Sequence, residues 1–377
     1  MRVILRAVLK ALLALALIGP AAAQVPTDNR LRTDLDRTVH SAATAFFADP
    51  CHVGMSMAIY ERGKVWFYNY GTTSKSRSSL PTQRTLYEIG SVTKTFTGIL
   101  ASKAILDGKM TFDGDFRPYL ERPYPNLEND GVPVTLRSLV AHTSGLPADL
   151  PDNSDLFAEA DFETLPFKLV EREKDYDDAR YLDELHGVEL AWEPGKQFSY
   201  SNLGTKLVGF GLRNVYGAPY SQLVQEFVTG PLGMTSTGFS VPPAQRHLLA
   251  EPYGVSGKPV PYHSPNIGAA GGLYSNNEDM IRYAAWHLDE SIPVVRRSHE
   301  LIAGSMEEFG LAMNWYVALH NGERKVWQSG GVFGMSSQLI LFPDSSAAYV
   351  LLANDACMNT QSELEKIALA VHASRQP

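Results

Sequence analysis

Apolar residues recur along this chain with two different periods, and the change from one to the other divides it. Leu31, Leu35, Val39 and Ala43 fall four apart, the spacing of one helix face, and predict an amphipathic helix over 30–48. Residues 54–60 and 65–70 are apolar and aromatic runs joined by Glu61-Arg62-Gly63-Lys64, which predicts a hairpin. Thr93 to Leu106 is apolar on nearly every face and stops at Asp107-Gly108, so a buried helix with a glycine stop is expected. From Thr111 to Tyr262 proline and glycine are frequent and the helical pieces are short, with Thr135–His142 and Asn202–Tyr216 the clearest. Asn277–Leu288 reads as another helix, with Asn277 as N-cap and Glu278 and Asp279 in its first turn. Strand patterns return at Phe309–Leu319, Lys325–Gln328, Ser336–Phe342 and Ala347–Ala353, and Ser362–Ala373 closes as a helix.

Strands at both ends around a helical middle predict an α+β fold. An antiparallel sheet is built from both chain ends and flanked by helices, and a mainly helical lobe is inserted. The α/β lobe takes residues 30–110 and 290–377, and the helical lobe takes 111–289. The acidic stretch from Asp149 to Glu189 is expected to wall a cleft between them.

Residues 1–23 have the layout of a signal peptide. Arg2, Arg6 and Lys10 precede a short apolar run, and Pro20-Ala21-Ala22-Ala23 offers a cleavage site. No later stretch has the length of a membrane span, so the mature chain is expected to be exported, periplasmic or secreted, without an integral membrane segment. A net charge of −8 argues against nucleic acid as a partner. Cys51 precedes the first strand and Cys357 follows the last. If those strands are antiparallel neighbours, the two sulfurs meet at one sheet edge, and an oxidising compartment lets them pair.

Ser91-Val92-Thr93-Lys94 opens the buried helix. Three residues is just under one helical turn, so Ser91 and Lys94 share a face. A serine hydroxyl needs a base, and a lysine that burial makes easier to deprotonate can act as one. Ser-x-x-Lys is the arrangement of penicillin-recognising enzymes; by itself it is also what a serine N-cap followed by a solvated lysine looks like. Tyr200-Ser201-Asn202 stands before an apolar helix, where a tyrosine can relay a proton and an asparagine can hold the lysine or a substrate amide. The tripeptide recurs at Tyr274-Ser275-Asn276, where the asparagines read as helix-start residues. Gln328-Ser329-Gly330-Gly331 ends a strand with small residues, which lets a substrate backbone pair along it. No Gly-x-Ser-x-Gly elbow and no His-Glu-x-x-His is present, and His142 reads as a loop or core residue.

With these motifs in order, the chain resembles the β-lactamase-related serine hydrolases from about Gly54 to its end. That family includes class C β-lactamases, penicillin-binding proteins with D-alanyl-D-alanine peptidase activity, D-amino-acid peptidases and carboxylesterases. Leu139-Val140-Ala141-His142-Thr143-Ser144-Gly145, Pro231-Leu232-Gly233-Met234 and Gly271-Gly272-Leu273-Tyr274-Ser275 add to the likeness. The resemblance implies Ser91 as acylated nucleophile, Lys94 as its proton partner, Tyr200 as general base and acid, and Asn202 as polar support. It implies Gly331 as an oxyanion donor and residues 328–331 as the substrate edge. Neither a metal nor an organic cofactor is implied.

One position departs from the pattern. The third motif usually opens with Lys or His, and here it opens with Gln328. A cation there holds a carboxylate, and charge-assisted hydrogen bonds are about twice as strong as neutral ones. The expected function is an exported serine hydrolase acting on peptidoglycan-type peptides or β-lactams, with a small-molecule or peptide substrate as its partner. Gln328 favours a carboxylesterase or transacylase on the same fold, and a non-catalytic cell-wall binding protein is the alternative of another class.

Overall fold

The structure is a computed structural model that describes residues 25–375 except 160 and 264. The expected signal peptide therefore lies outside the described residues. Among the described residues no helix is long and apolar enough to cross a membrane.

Thr33 accepts the backbone N–H of Asp36, whose carboxylate returns the bond, and this capping box starts helix α1 at Asp34–Phe46. Strands β1 (Gly54–Glu61) and β2 (Lys64–Gly71) form the hairpin, turning at Arg62 and Gly63, both with positive φ. Helix α2 spans Thr93–Leu106, and eleven of its residues are buried. Helix α3 spans Asn202–Tyr216, capped by the Ser201 hydroxyl and ended by Gly217 at φ 67°. Helix α4 is Asn277–His287; its N-cap is Asn276, which accepts the N–H of Asp279, and not Asn277 as the sequence suggested. Helix α5 is the short Pro293–His299.

Six strands follow: β3 (Ala303–Gly304), β4 (Gly310–Leu311), β5 (Tyr316–His320), β6 (Glu323–Gly331), β7 (Ser336–Phe342) and β8 (Ala347–Ala353). The single strand expected over Phe309–Leu319 is broken. The Ala312 N–H bonds the Trp315 carbonyl at 2.8 Å, and Asn314 sits at φ 59°, so the chain turns there. In space the strands run β2-β1-β8-β7-β6-β5-β4-β3, all antiparallel. The last strand pairs with the first, Met55 opposite Ala353, so both chain ends build one sheet.

The sheet is covered on both faces. On one face α1 meets the C-terminal helix α6 (Thr360–Ala373), packing Leu35, Val39 and Phe46 with Leu364, Ile367 and Val371 over Ile340 and Phe342. On the other face α4 packs against β1, β7 and β8, and Val326, Leu339 and Val350 share one core with Phe96 and Ile99 of α2. The stretch read as acidic and nearly strandless folds into helices at Leu165–Glu173 and Asp178–Glu184 and a shorter one at Ser154–Ala158. Leu156, Leu165 and Leu169 reach Phe333, two residues past the end of β6.

Cys51 and Cys357 are bonded, with Cα atoms 6.1 Å apart, and the first and last strands are the antiparallel neighbours that let them meet. His52, Asp355 and Cys357 form the group of metal-ligating residue types found among the described residues, but the sulfur is already committed to this bond.

Candidate active site

Ser91 lies in a single turn of 3-10 helix, Gly90–Val92, that leads straight into α2. Gly90 takes φ 50°, a conformation that strains residues with a side chain, and it aims the turn at the end of β6. The contact is tight. A Cβ on Gly330 would fall 2.1 Å from the Ile89 carbonyl oxygen, 2.3 Å from Ser337 Oγ and 3.0 Å from the Ser91 nitrogen. A Cβ on Gly90 would fall 2.8 Å from the Gly331 nitrogen. Glycine at these positions lets two backbones touch.

Lys94 follows one turn after Ser91 and is fully buried. Its Nζ donates to Ser91 Oγ at 3.0 Å, to Asn202 Oδ1 at 2.7 Å and to the Ala270 carbonyl at 2.6 Å. Burial pulls its pKa down to about 7; Asp149 opposes this and the neighbouring Lys206 adds to it. Asp149 is in turn paired with Lys206 at 2.8 Å.

Tyr200 stands just ahead of α3, and its phenol donates to Ser91 Oγ at 2.7 Å. Burial raises its pKa, and the bond to Ser91 offsets only part of that, so the phenol is held protonated. Lys94 Nζ lies 4.8 Å from the centre of the Tyr200 ring. Beneath the ring sits His142, 4.5 Å away between centroids, at φ 54°. Burial, and then the nearby Lys94, pull His142 down to about 3, so it is neutral. Its Nδ1 accepts the Ser201 N–H at 3.3 Å.

The third element is the end of β6. Strand β5 pairs with β6 only as far as Trp327, so residues 328–331 pair with β7 alone and leave their other edge free. The Ser329 N–H bonds the Oε1 of its own neighbour, Gln328, at 3.1 Å, which shows that it faces this free edge. N–H groups two residues apart in a strand point the same way, so Gly331 N–H faces the free edge too, toward Gly90. Ser91 and Gly331 thus bring two backbone N–H groups to one place.

Gln328, a candidate substrate ligand, is buried, and its Nε2 donates to the Asn314 carbonyl at 2.9 Å. Its side chain ties β6 to the turn before β5. The second tripeptide is separate: Tyr274 donates to Glu88 Oε1 at 3.1 Å, in a two-residue pairing of Tyr87–Glu88 with Tyr274–Ser275.

Ser91, Lys94, Tyr200 and Asn202 therefore meet, and Ser329, Gly330 and Gly331 border them. Two contributors were not legible in the sequence. The Ala270 carbonyl is a backbone group with no side-chain signature. Gln361, in the first turn of α6, lays its amide over Gly331, where an added Cβ would be 2.2 Å from Nε2.

A model of the family described as Beta-lactamase matches residues 40–373. A relative named Beta-lactamase from Providencia stuartii is 34% identical over 255 residues, covering 66% of this chain and 59% of that protein. The chain spans about three fifths of the length of the curated relatives it matches. Among solved structures, a class C β-lactamase superposes with a TM-score of 0.77 at 21% identity, covering 91% of this chain and 97% of that one. A β-lactamase/D-alanine carboxypeptidase from Pseudomonas syringae gives 0.76 at 22%, covering 92% and 100%. These structures share the fold. The matched span is nearly the whole described chain: the protein belongs to the Beta-lactamase family.

Proposed function

We propose that the protein is an exported serine hydrolase that works through an acyl-enzyme on Ser91. The observation that carries this reading is Ser91 Oγ held between Lys94 Nζ and the Tyr200 phenol at 3.0 and 2.7 Å. Lys94 titrates near neutrality, so a large share of it is the free amine at pH 7. The neutral amine takes the Ser91 proton as Oγ bonds to the substrate carbonyl carbon. The carbonyl oxygen becomes an oxyanion held by the N–H groups of Ser91 and Gly331. When the bond to the leaving group breaks, Tyr200 gives that group its proton and regains one from Lys94. Water then attacks the acyl carbon by the same route and releases the acid. Tyr200 is thus a relay, and Lys94 is the first acceptor; the resemblance alone had given Tyr200 that task.

Gln328 brings no charge to the substrate edge, and its amide is engaged with Asn314. Neutral esters and amides are the substrates that the geometry supports best. The relative named Beta-lactamase favours a second reading, turnover of β-lactams, which the resemblance noted in the sequence extends to D-alanyl peptides. The test compares nitrocefin, a D-alanyl-D-alanine peptide and a short-chain p-nitrophenyl ester, with a fluorophosphonate probe for Ser91. The ester is expected to be turned over fastest, and Ser91→Ala to abolish both turnover and labelling. Retained turnover in Ser91→Ala contradicts the acyl-enzyme, and faster nitrocefin hydrolysis selects the second reading. A folded protein that neither probe nor substrate engages points to the non-catalytic alternative.

A further inference from the structure

Cys51-His52 and Asp355-Ala356-Cys357 bring four metal-ligating side chains together, at the end of the sheet where β1 begins and β8 stops. His52 Nδ1 lies 3.1 Å from Asp355 Oδ1, and Cys357 Sγ lies 3.5 Å from the same oxygen. All three donor atoms fall within 4.8 Å of one another, and their residues are buried. Cys51 Sγ is bonded to Cys357 Sγ and completes the set. Zinc bonds of about 2.0–2.3 Å in a tetrahedron set ligand atoms about 3.3–3.8 Å apart, close to these separations. The surroundings match as well. A metal-bound histidine gives its second ring nitrogen to a carboxylate or carbonyl, which fixes the ring and the tautomer. Here His52 Nε2 lies 2.8 Å from Glu363 Oε2, and the ring stacks on Phe46. Asp355 is fixed too: the Val53 N–H donates to its Oδ2 at 3.0 Å and the Thr360 hydroxyl to its Oδ1 at 2.9 Å. Cys357 lines a cavity of about 530 Å³ that opens beside the end of β6, and this gives small reagents a way in.

We infer that the dithiol form of this protein holds one zinc ion at Cys51, His52, Asp355 and Cys357, and that the disulfide form does not. The thiolate is the sulfur species that ligates metals, and neither sulfur of a disulfide can supply it. A dithiol reductant passes two electrons and two protons to the Cys51–Cys357 bond and leaves as its own cyclic disulfide. The two thiols lose their protons to solvent as zinc binds them. His52 keeps its proton on Nε2, toward Glu363, and offers the Nδ1 lone pair. Two thiolates, one imidazole and one carboxylate suit zinc, whereas calcium and magnesium take oxygen ligands. A disulfide oxidant reverses the step: it takes two electrons from the thiolates, the sulfurs bond again, and the ion leaves. The same two ends of the sheet are thus tied by a covalent bond in an oxidising compartment and by an ion in a reducing one. A structural zinc adds its binding free energy to the folded state, so the second tie replaces the stability that reduction removes.

The test reduces the full chain with dithiothreitol, desalts it under nitrogen and counts two free thiols on an unfolded aliquot. Cobalt(II) is the probe, because its visible bands report tetrahedral thiolate ligation, and zinc is then added in competition. The reduced protein is expected to bind one cobalt, displaced by one zinc, and the oxidised protein none. Zinc should raise the melting temperature of the reduced protein toward that of the oxidised one and leave the oxidised one unchanged. His52→Gln and Asp355→Asn should each weaken cobalt binding by more than about tenfold, and Glu363→Gln, which acts through His52, by about tenfold. Cys51→His cannot form the disulfide and keeps four ligands, so it should bind cobalt without any reductant; it carries the test where the native bond resists reduction. Thermal melts check that each variant folds. A reduced or Cys51→His chain that is folded and binds no cobalt overturns the site. Binding that survives both His52→Gln and Asp355→Asn undiminished overturns it too, since the sulfurs alone would then hold the metal. Equal binding by the oxidised protein overturns the exchange between bond and ion.

Discussion

Lys94 Nζ and Asn202 Oδ1 lie 2.7 Å apart, although 108 residues separate them and they come from different helices. The carboxamide oxygen accepts from the amine and so favours its charged form, against the burial that disfavours it. A full negative charge at that position would favour it much more. Asn202→Asp is therefore expected to move the acid limb of kcat/KM upward by about one pH unit or more. Asn202→Leu should move it downward and slow Ser91 labelling about tenfold by letting the amine wander. A pH profile of each variant on one ester checks both directions. An unmoved limb in Asn202→Asp would mean that another group sets it.

The unmodified protein has a limb of its own to show. Lys94 is pulled down to about 7 by burial, and in the proposed route the amine that accepts the Ser91 proton is the deprotonated form. Below that value kcat/KM should fall about tenfold per pH unit, and above it the rate should level off. In the same proposed route Tyr200 acts protonated, and burial raises its pKa, so no alkaline loss from the phenol is expected up to pH 9. A profile that peaks at acid pH would contradict lysine as the base.

The periodic parts of this fold were legible because each buries one face. The hairpin, α2, α3, β7 and β8 stand where their apolar patterns placed them. Phe309–Leu319 misled because its apolar run hides a turn at Asn314, whose left-handed backbone leaves little compositional mark. The side chains that meet around Ser91 were readable from Ser-x-x-Lys and Tyr-Ser-Asn, since spacing on a helix face is a geometric statement. Gln328 was readable as a missing charge, but not its bond to Asn314, because that carbonyl belongs to the unforeseen turn. Gln361 and the Ala270 carbonyl needed the tertiary structure. One is an ordinary first-turn residue, and the other is a backbone atom.

Gly330 tests how closely the nucleophile turn depends on the strand. Its Cβ would meet a backbone carbonyl at 2.1 Å, and a carbonyl cannot rotate away as a flexible side chain can. Gly330→Ala should cost about 1–3 kcal/mol, the usual range for overpacking. Because the displaced atoms include the Ser91 nitrogen, labelling of Ser91 should drop more than the melting temperature alone explains. Gly63, in the β1–β2 turn, has nothing within 4 Å of its added Cβ but takes φ 86°. A Gly63→Asn control should melt close to the parent and label at the parent rate. Equal labelling in Gly330→Ala would show that the contact does not hold the nucleophile.

The Cys51–Cys357 bond closes a loop across a sequence separation of 306 residues. A cross-link of that span removes much of the unfolded chain's freedom, and loss of a native disulfide costs about 2–5 kcal/mol. Cys357 also lines the cavity beside β6. The Cys51→Ala/Cys357→Ala pair is expected to unfold at lower urea. Reduction of the parent protein should give the same shift, and reduction of the double variant no further shift. A double variant as stable as the parent would mean that the sheet already holds these ends together without help.

His52 links the same end of the sheet in a pH-dependent way. Its Nδ1 lies 3.1 Å from Asp355 Oδ1, its Nε2 lies 2.8 Å from Glu363 Oε2, and its ring stacks on Phe46 at 3.6 Å. Burial pulls its pKa down, but the bonds and charges of Asp355 and Glu363 outweigh burial and leave it above 6.5. A histidine raised in this way is charged more readily in the folded chain than in the unfolded one. Its stabilisation is complete below pH 6.5 and is lost as pH rises through the folded value. His52→Gln keeps a polar group of similar reach but cannot carry the charge. Its deficit in unfolding free energy should be about 2 kcal/mol at pH 5.5, in the range of hydrogen bonds to charged groups, and smaller at pH 9. Urea titrations of parent and variant at the two pH values measure the difference directly. Equal deficits would show that the ring contributes by packing on Phe46 and not by its charge between the two carboxylates.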